Sequence, residues 1–201
     1  MHFLTFLYTN LAFYTAMQLT LTWDLFILVF FLIIVAYSVM IGKDQTIKVI
    51  LSSYIAILTS DAIGGLLAKA IGNGTVGNVL VISSEGKAVI MMKIGIFVFL
   101  TVALTTRGAF DILVAEERSP FMRMMMTTAY GILSAGLIIA TILVYVSGIS
   151  LLSGGALFAQ NPIQEVAQNS QLVQLMIDNY AIWFSLPAIA FVVSSLFGGE
   201  E

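Results

Sequence analysis

Cysteine is absent from this chain of 201 residues, and histidine occurs once, as His2. Without cysteine, disulfides, thiolate metal sites and cysteine nucleophiles are excluded. A single histidine also leaves a histidine-ligated metal or haem without a ligand set. The sequence contains no Gly-rich phosphate loop, metal-ligand cluster or nucleophile–base pair either. We therefore expect no cofactor and no enzymatic activity.

Charged residues are also scarce in this chain. Charged residues make up 9% of the chain, whereas a soluble domain carries roughly 25%. There are only 8 lysines and arginines, and the net charge is −3. Because no basic run could follow a phosphate backbone, the sequence predicts no nucleic-acid partner.

Apolar residues are correspondingly abundant. They make up 60% of the chain, and the mean hydropathy is +1.04. A membrane-spanning helix needs about 20 mostly apolar residues, and several stretches reach that length. We expect an all-α polytopic membrane protein with lipid around it and four core transmembrane helices, at residues 22–41, 47–67, 88–106 and 127–145.

Three regions follow from this pattern: 1–21, 22–152 and 153–201. The first is apolar, lacks lysine and arginine, and predicts an interfacial segment rather than a signal peptide. The second is the four-helix transmembrane core. The third should begin with an exterior amphipathic helix over residues 161–185. The apolar run 181–197 that follows is either a fifth span or a surface helix, and the pattern slightly favours the surface.

The connection between the third and fourth spans predicts a protruding hairpin. The third helix should continue past the membrane, and Ser119-Pro120 should start the fourth helix, since proline suits the first helical position. The tip of this hairpin is either simply solvated or a docking site for a partner. Its candidate residues are Glu116, Glu117, Arg118 and Pro120.

Positive residues set the expected orientation. Lys43 and Lys48 follow the first span, and Arg107, Arg118 and Arg123 follow the third. Loops rich in lysine and arginine stay in the cytoplasm, so the N-terminus should lie outside.

Asp61 is the most informative single residue because it lies inside the second apolar run. An ionisable group is costly within a bilayer and normally faces protein, a partner charge or water. With a rise of 1.5 Å per residue, Asp61 should lie about 9–12 Å below the outer surface, and Lys93 of the third span about 7–8 Å. The sequence therefore predicts an ion pair between Asp61 and Lys93. The alternative makes Asp61 a proton or cation site.

Small residues recur at every fourth position around Asp61. Such a row drifts about 40° per step around a helix, so either one neighbouring helix crosses it at an angle or two neighbouring helices share it. The fourth span offers a matching surface of small residues, and self-association is the alternative. The predicted packing residues are Ser52, Ala56, Ser60, Gly64 and Ala68 in the second span and Gly131, Ala135 and Gly136 in the fourth.

Three passages of the sequence carry a family resemblance: Trp23-Asp24-Leu25 with Gly42-Lys43, Arg123 with Gly131 and Gly136, and Ser170-Gln171-Leu172 before an amphipathic helix. They resemble the CvpA-like family, the colicin V production proteins of the bacterial inner (cytoplasmic) membrane. The resemblance covers residues 22–180. It implies a four-helix inner-membrane protein tied to toxin export and envelope integrity.

Three functions remain open at this stage. The first is an envelope scaffold or export-associated factor that acts through other membrane proteins or copies of itself. The second is a subunit of an ion-coupled transporter or channel that uses Asp61. The third is an accessory subunit of a larger membrane complex.

Overall fold

A computed structural model of the chain describes residues 23–72, 85–108, 119–147, 151 and 170–197. All regular structure in these ranges is helical, which confirms the all-α prediction. The six helices within these ranges are α1 (Trp23–Ile41), α2 (Lys43–Gly72), α3 (Glu85–Arg107), α4 (Pro120–Val146), α5 (Gln171–Asp178) and α6 (Tyr180–Phe197).

Helices α1 to α4 are each long and apolar enough to cross a membrane. This confirms the four predicted core spans. Helices α5 and α6 meet at an angle of 62°, and together they would also be long enough for a broken span. The described residues therefore contain four candidate spans, or five if the bent pair crosses. The predicted interfacial segment 1–21 lies outside the described residues.

The predicted extension of the third helix is wrong where the structure describes it. Helix α3 ends at Arg107, and Gly108 lies outside the helix. Glycine favours this end because its backbone loses the most freedom in a helix. Residues 109–118 lie outside the described residues, including Glu116, Glu117 and Arg118. Helix α4 begins at Pro120 after Ser119, as predicted.

The predicted single helix over residues 161–185 is also wrong. Residues 161–169 lie outside the described part, and beyond them the helix is broken at Asn179. The Asn179 side-chain amide donates a hydrogen bond to the Leu175 carbonyl at 2.9 Å, which closes α5. The Asn179 carbonyl then accepts from the Ile182 amide at 3.0 Å and starts α6.

A sharp turn at Gly42 reverses the chain between α1 and α2. Its φ of +87° is one that other residues rarely adopt. The Thr46 hydroxyl donates to the Gly42 carbonyl at 2.8 Å and supports the turn. Gly42 and Pro120 line one groove, so α4 starts beside this turn. We call this end of the bundle the turn end.

Helix α4 forms the centre of the bundle. It packs against α1 and α2, and α6 lies along it, while α3 packs chiefly against α2. Apolar side chains from α2, α3 and α4 form the main core, among them Ile57, Phe97 and Leu137. This arrangement brings the middle helices together at the predicted polar residues.

Candidate functional site

Asp61 of α2 and Lys93 of α3 form an ion pair inside the bundle. The Lys93 Nζ atom lies 2.5 Å from Asp61 Oδ1. Both residues are 1% exposed. Because neither charge reaches solvent, each compensates the burial of the other, and loss of one partner would leave an uncompensated buried charge. The pair therefore ties α2 to α3.

Gly64 makes room for this pair. It lies three residues after Asp61, and a Cβ atom there would overlap the aliphatic chain of Lys93. The lysine stem consequently lies directly across the backbone of α2. A close approach of this kind requires a residue without a side chain.

Tyr145 of α4 completes the cluster, and sequence reasoning missed it. Its hydroxyl donates to the Ile57 carbonyl at 3.0 Å and lies 2.7 Å from Ser60 Oγ. Its ring centroid lies 5.4 Å from Lys93 Nζ, a cation–π distance. A buried tyrosine needs a partner for its hydroxyl, and this requirement was the available signal. Asp61, Lys93, Ser60 and Tyr145 form what we call the polar cluster, which joins α2, α3 and α4.

The predicted row of small residues in α2 faces two neighbours. Ser52, Ala56, Ser60 and Gly64 are all buried. Gly64 meets α3 through Lys93, and Ser60 meets α4 through Tyr145. The side chain of Ala68 lies outside the described part.

The matching surface predicted on α4 is wrong. Gly131 packs against Ser38 of α1, and Gly136 packs against the Trp183 ring of α6. Five residues turn a helix by about 140°, so these two glycines cannot face the same neighbour. Ala135 lies between them and is fully buried. The small residues of α4 therefore serve several helices rather than α2 alone.

A second polar contact joins α2 to α6 at Pro187. Proline has no N–H and its ring disturbs the helical hydrogen bonds around it. The Tyr54 hydroxyl donates to the Phe184 carbonyl at 2.5 Å and accepts from the Ala188 amide at 3.1 Å. In an undisturbed helix those two backbone groups would bond to each other. Tyr54 thus bridges an opened turn of α6.

A third contact fixes the beginning of α5. Asp24, in the first turn of α1, accepts hydrogen bonds from Ser170 Oγ at 2.5 Å and from the Leu172 amide at 3.1 Å. Ser170 Oγ also accepts from the Val173 amide at 3.2 Å, as an N-cap residue does. A carboxylate at a helix N-terminus is favoured by the helix dipole. Asp24 therefore anchors the C-terminal helices to α1.

The structure describes one residue of the predicted docking hairpin. Pro120 is exposed at the start of α4, and the other three hairpin residues lie outside the described part. Within the described ranges, no group of three or more histidine, aspartate or glutamate residues could hold a metal ion.

Comparison of the chain with protein-family models, with curated proteins and with solved structures found no match. The geometry of the polar cluster and the apolar faces around it are therefore the basis for assigning a function.

Proposed function

We propose that this protein is a membrane scaffold of the CvpA-like kind, an export-associated envelope factor that acts through partner proteins. The observation that carries the proposal is the ion pair enclosed between α2 and α3. Asp61 and Lys93 are both 1% exposed and bond to each other. Each charge is therefore compensated inside the bundle, as expected of a rigid platform.

Outward-facing apolar residues support a role through contacts. Leu32 and Ile33 of α1 are 56% and 59% exposed, and Met91 and Phe99 of α3 are 72% and 70% exposed. Such side chains suit lipid or the apolar surfaces of other membrane helices. A scaffold needs a rigid interior and accessible outer faces, and both features are present among the described residues.

Exchange of the two charges tests the scaffold. The variants are Asp61→Lys, Lys93→Asp and the double exchange, expressed in cells from which the gene has been deleted. The deletion should weaken the permeability barrier of the envelope and toxin export. Wild type and the double exchange should restore both, because a scaffold needs the pair and not its polarity.

The single variants serve as controls, since each places two like charges together in the bundle. They should fail to restore the barrier, and their amounts in the membrane should be measured by immunoblot. The scaffold proposal would be contradicted if wild type and the double exchange were present in the membrane in equal amounts and only wild type restored the barrier.

The proposed location is a bacterial inner membrane with the N-terminus outside. The positive residues Lys43, Lys48 and Arg123 near the turn end support it. Because the chain has no cysteine, Ser119→Cys provides a unique label site beside α4. A membrane-impermeant thiol reagent should label it only after the cells are opened. Labelling of intact cells would reverse the orientation.

A second function, an ion-coupled transporter or channel subunit, is favoured by the position of Asp61. It is a buried carboxylate within a candidate span, and such groups mark ion pathways in many membrane proteins. Flux of protons and of sodium into proteoliposomes separates this function from a scaffold. A transporter predicts flux that Asp61→Asn abolishes, whereas a scaffold predicts the same leak as in empty vesicles.

A further inference from the structure

Four buried hydroxyls in the described part of the bundle differ from most of their neighbours, those of Ser52, Ser53, Thr101 and Ser134. Many serine and threonine hydroxyls in these helices donate to a carbonyl three or four residues earlier, as Thr46, Thr127 and Thr141 do. Ser53 and Ser134 are 0% and 1% exposed, yet their hydroxyls bond to none of the described residues. A buried hydroxyl without a partner is costly, so each requires one.

Helical phase places both serines between α2 and α4. Ser60 and Tyr145 touch each other and so define the facing sides of the two helices. Ser53 lies seven residues before Ser60, and seven residues rotate a helix by two full turns minus about 20°. Ser134 lies eleven residues before Tyr145, which is three turns plus about 20°. Both hydroxyls therefore face the contact between α2 and α4.

Each of the two helices carries a row of hydroxyls on this side, spaced seven residues apart. A spacing of seven keeps side chains on one face of packed helices. All six residues are buried. They are Thr46, Ser53 and Ser60 on α2 and Thr127, Ser134 and Thr141 on α4, and we call them the hydroxyl seam.

The seam runs from the turn end to the polar cluster. Helices α2 and α4 point the same way, since Pro120 lies beside Gly42 and Tyr145 lies beside Ile57. Counted from the contact between Tyr145 and Ile57 at equal rise per residue, Ser134 is level with Thr46, and Ser53 is level with Thr141. Thr127 lines a groove of about 400 Å³ at the turn end.

We propose that the hydroxyl seam binds a file of water molecules that connects this groove with the Asp61–Lys93 pair. Water is the ligand that fits, because it both donates and accepts and needs two to four polar partners in a small space. The seam supplies a pair of hydroxyls at two levels, Thr46 with Ser134 and Ser53 with Thr141, and a single hydroxyl at each end, Thr127 and Ser60. The file gives the ion pair a route for proton exchange with the turn end. This inference rests on the geometry of the seam and not on the proposed function.

Thiol exchange in heavy water tests the file. Ser53→Cys and Ser134→Cys each introduce one thiol into a chain without cysteine, so its S–H stretching band is unambiguous in the infrared spectrum of the purified full-length protein. Ala140→Cys is the matched control. Ala140 is 0% exposed, and it lies five residues before Tyr145 and so points about 140° away from the seam.

On transfer to D2O, both seam thiols should exchange to S–D at least about tenfold faster than the control, because the control exchanges only when the bundle opens locally. Equal rates in all three variants would overturn the proposal. Circular dichroism and gel filtration of each variant check that the fold is retained.

A blocking variant tests where the water enters. Ser134→Val added to Ser53→Cys should slow exchange at position 53, since Ser134 lies nearer the groove. Ser53→Val added to Ser134→Cys should leave exchange at position 134 unchanged. If the second block slows exchange and the first does not, the water enters from the other end, and the proposed connection with the groove is wrong.

Discussion

Helices α1 and α4 are both long apolar spans, but α4 is far more buried in the bundle than α1. In the most apolar stretch of α1, 11% of residues are buried, whereas 67% are buried in α4. Helix α1 is nevertheless the more apolar of the two. Its outer residues are large, such as Leu32 and Ile33, while α4 carries Gly131, Ser134 and Gly136.

This difference follows from the lipid that surrounds a membrane protein. Lipid is as apolar as leucine, so leucine-rich faces gain little by turning inward. Burial between helices is more favourable for small and hydroxyl-bearing residues, because it lets backbones approach closely and lets polar groups form hydrogen bonds. In this protein, burial therefore follows residue size and polarity rather than hydropathy. Substitutions in the interior and on the outer face of the bundle test that contrast.

The largest effect is expected at the ion pair. Asp61→Asn or Lys93→Met should each lower the free energy of unfolding by about 3–5 kcal/mol, because the remaining charge stays buried without its counter-charge. The double variant should recover most of the loss. Unfolding in detergent micelles measures all three values, with Lys48→Met as the control for charge removal elsewhere in α2. Additive losses in the double variant would show that the two side chains do not depend on each other.

Glycine substitutions compare tight and open sites directly. A Cβ atom at Gly136 would overlap the Trp183 ring, whereas a Cβ atom at Gly95 of α3 meets nothing within 4 Å. Gly136→Ala should destabilise the protein by about 1–3 kcal/mol through overpacking. Gly95→Ala should stabilise it by about 0.5–1 kcal/mol, since alanine suits a helix better.

Thermal unfolding of both glycine variants in the same detergent provides the measurement. Shifts of the same sign would mean that helix propensity, and not the contact with α6, determines the effect at Gly136.

The positions of the spans and of Asp61 and Lys93 were predictable because they depend only on distance along a helix. An apolar run of sufficient length identifies a span, and the rise per residue gives a depth. The rotation of each helix about its axis was not predictable. Helices that are apolar on every side carry no stripe to indicate which face turns inward. Gly131 and Gly136 were therefore assigned to the wrong neighbours.

The contacts of α6 show a second limit. Pro187 predicted a disturbance in the last apolar run, but its partner Tyr54 is 133 positions earlier in the chain. Asn179 breaks the helix before it through a local side-chain bond that competes with the helical pattern. Tyr145 was missed for a related reason, since its partners Ser60 and Ile57 lie on another helix.

A smaller loss is expected for Tyr54→Phe. The substitution removes the hydroxyl that bonds to Phe184 and Ala188, and the free energy of unfolding should fall by about 1 kcal/mol. Amide hydrogen exchange at Ala188 should accelerate at the same time. Tyr37→Phe in α1 is the control, because Tyr37 is 56% exposed. Unchanged exchange at Ala188 would mean that Tyr54 does not hold the opened turn.

The smallest effect is expected on the outer face of α1. Ile33→Ala should change the free energy of unfolding by less than about 0.5 kcal/mol, since lipid contacts isoleucine equally well in the folded and the unfolded helix. Ile139→Ala in α4 is the matched control, because Ile139 is 3% exposed and should lose its packing partners. Both variants are compared in lipid nanodiscs that hold one chain and in membranes. If Ile33→Ala lowers the free energy of unfolding in membranes but not in nanodiscs, another protein rather than lipid covers α1. The contrast in burial between α1 and α4 would then hold only for the isolated chain.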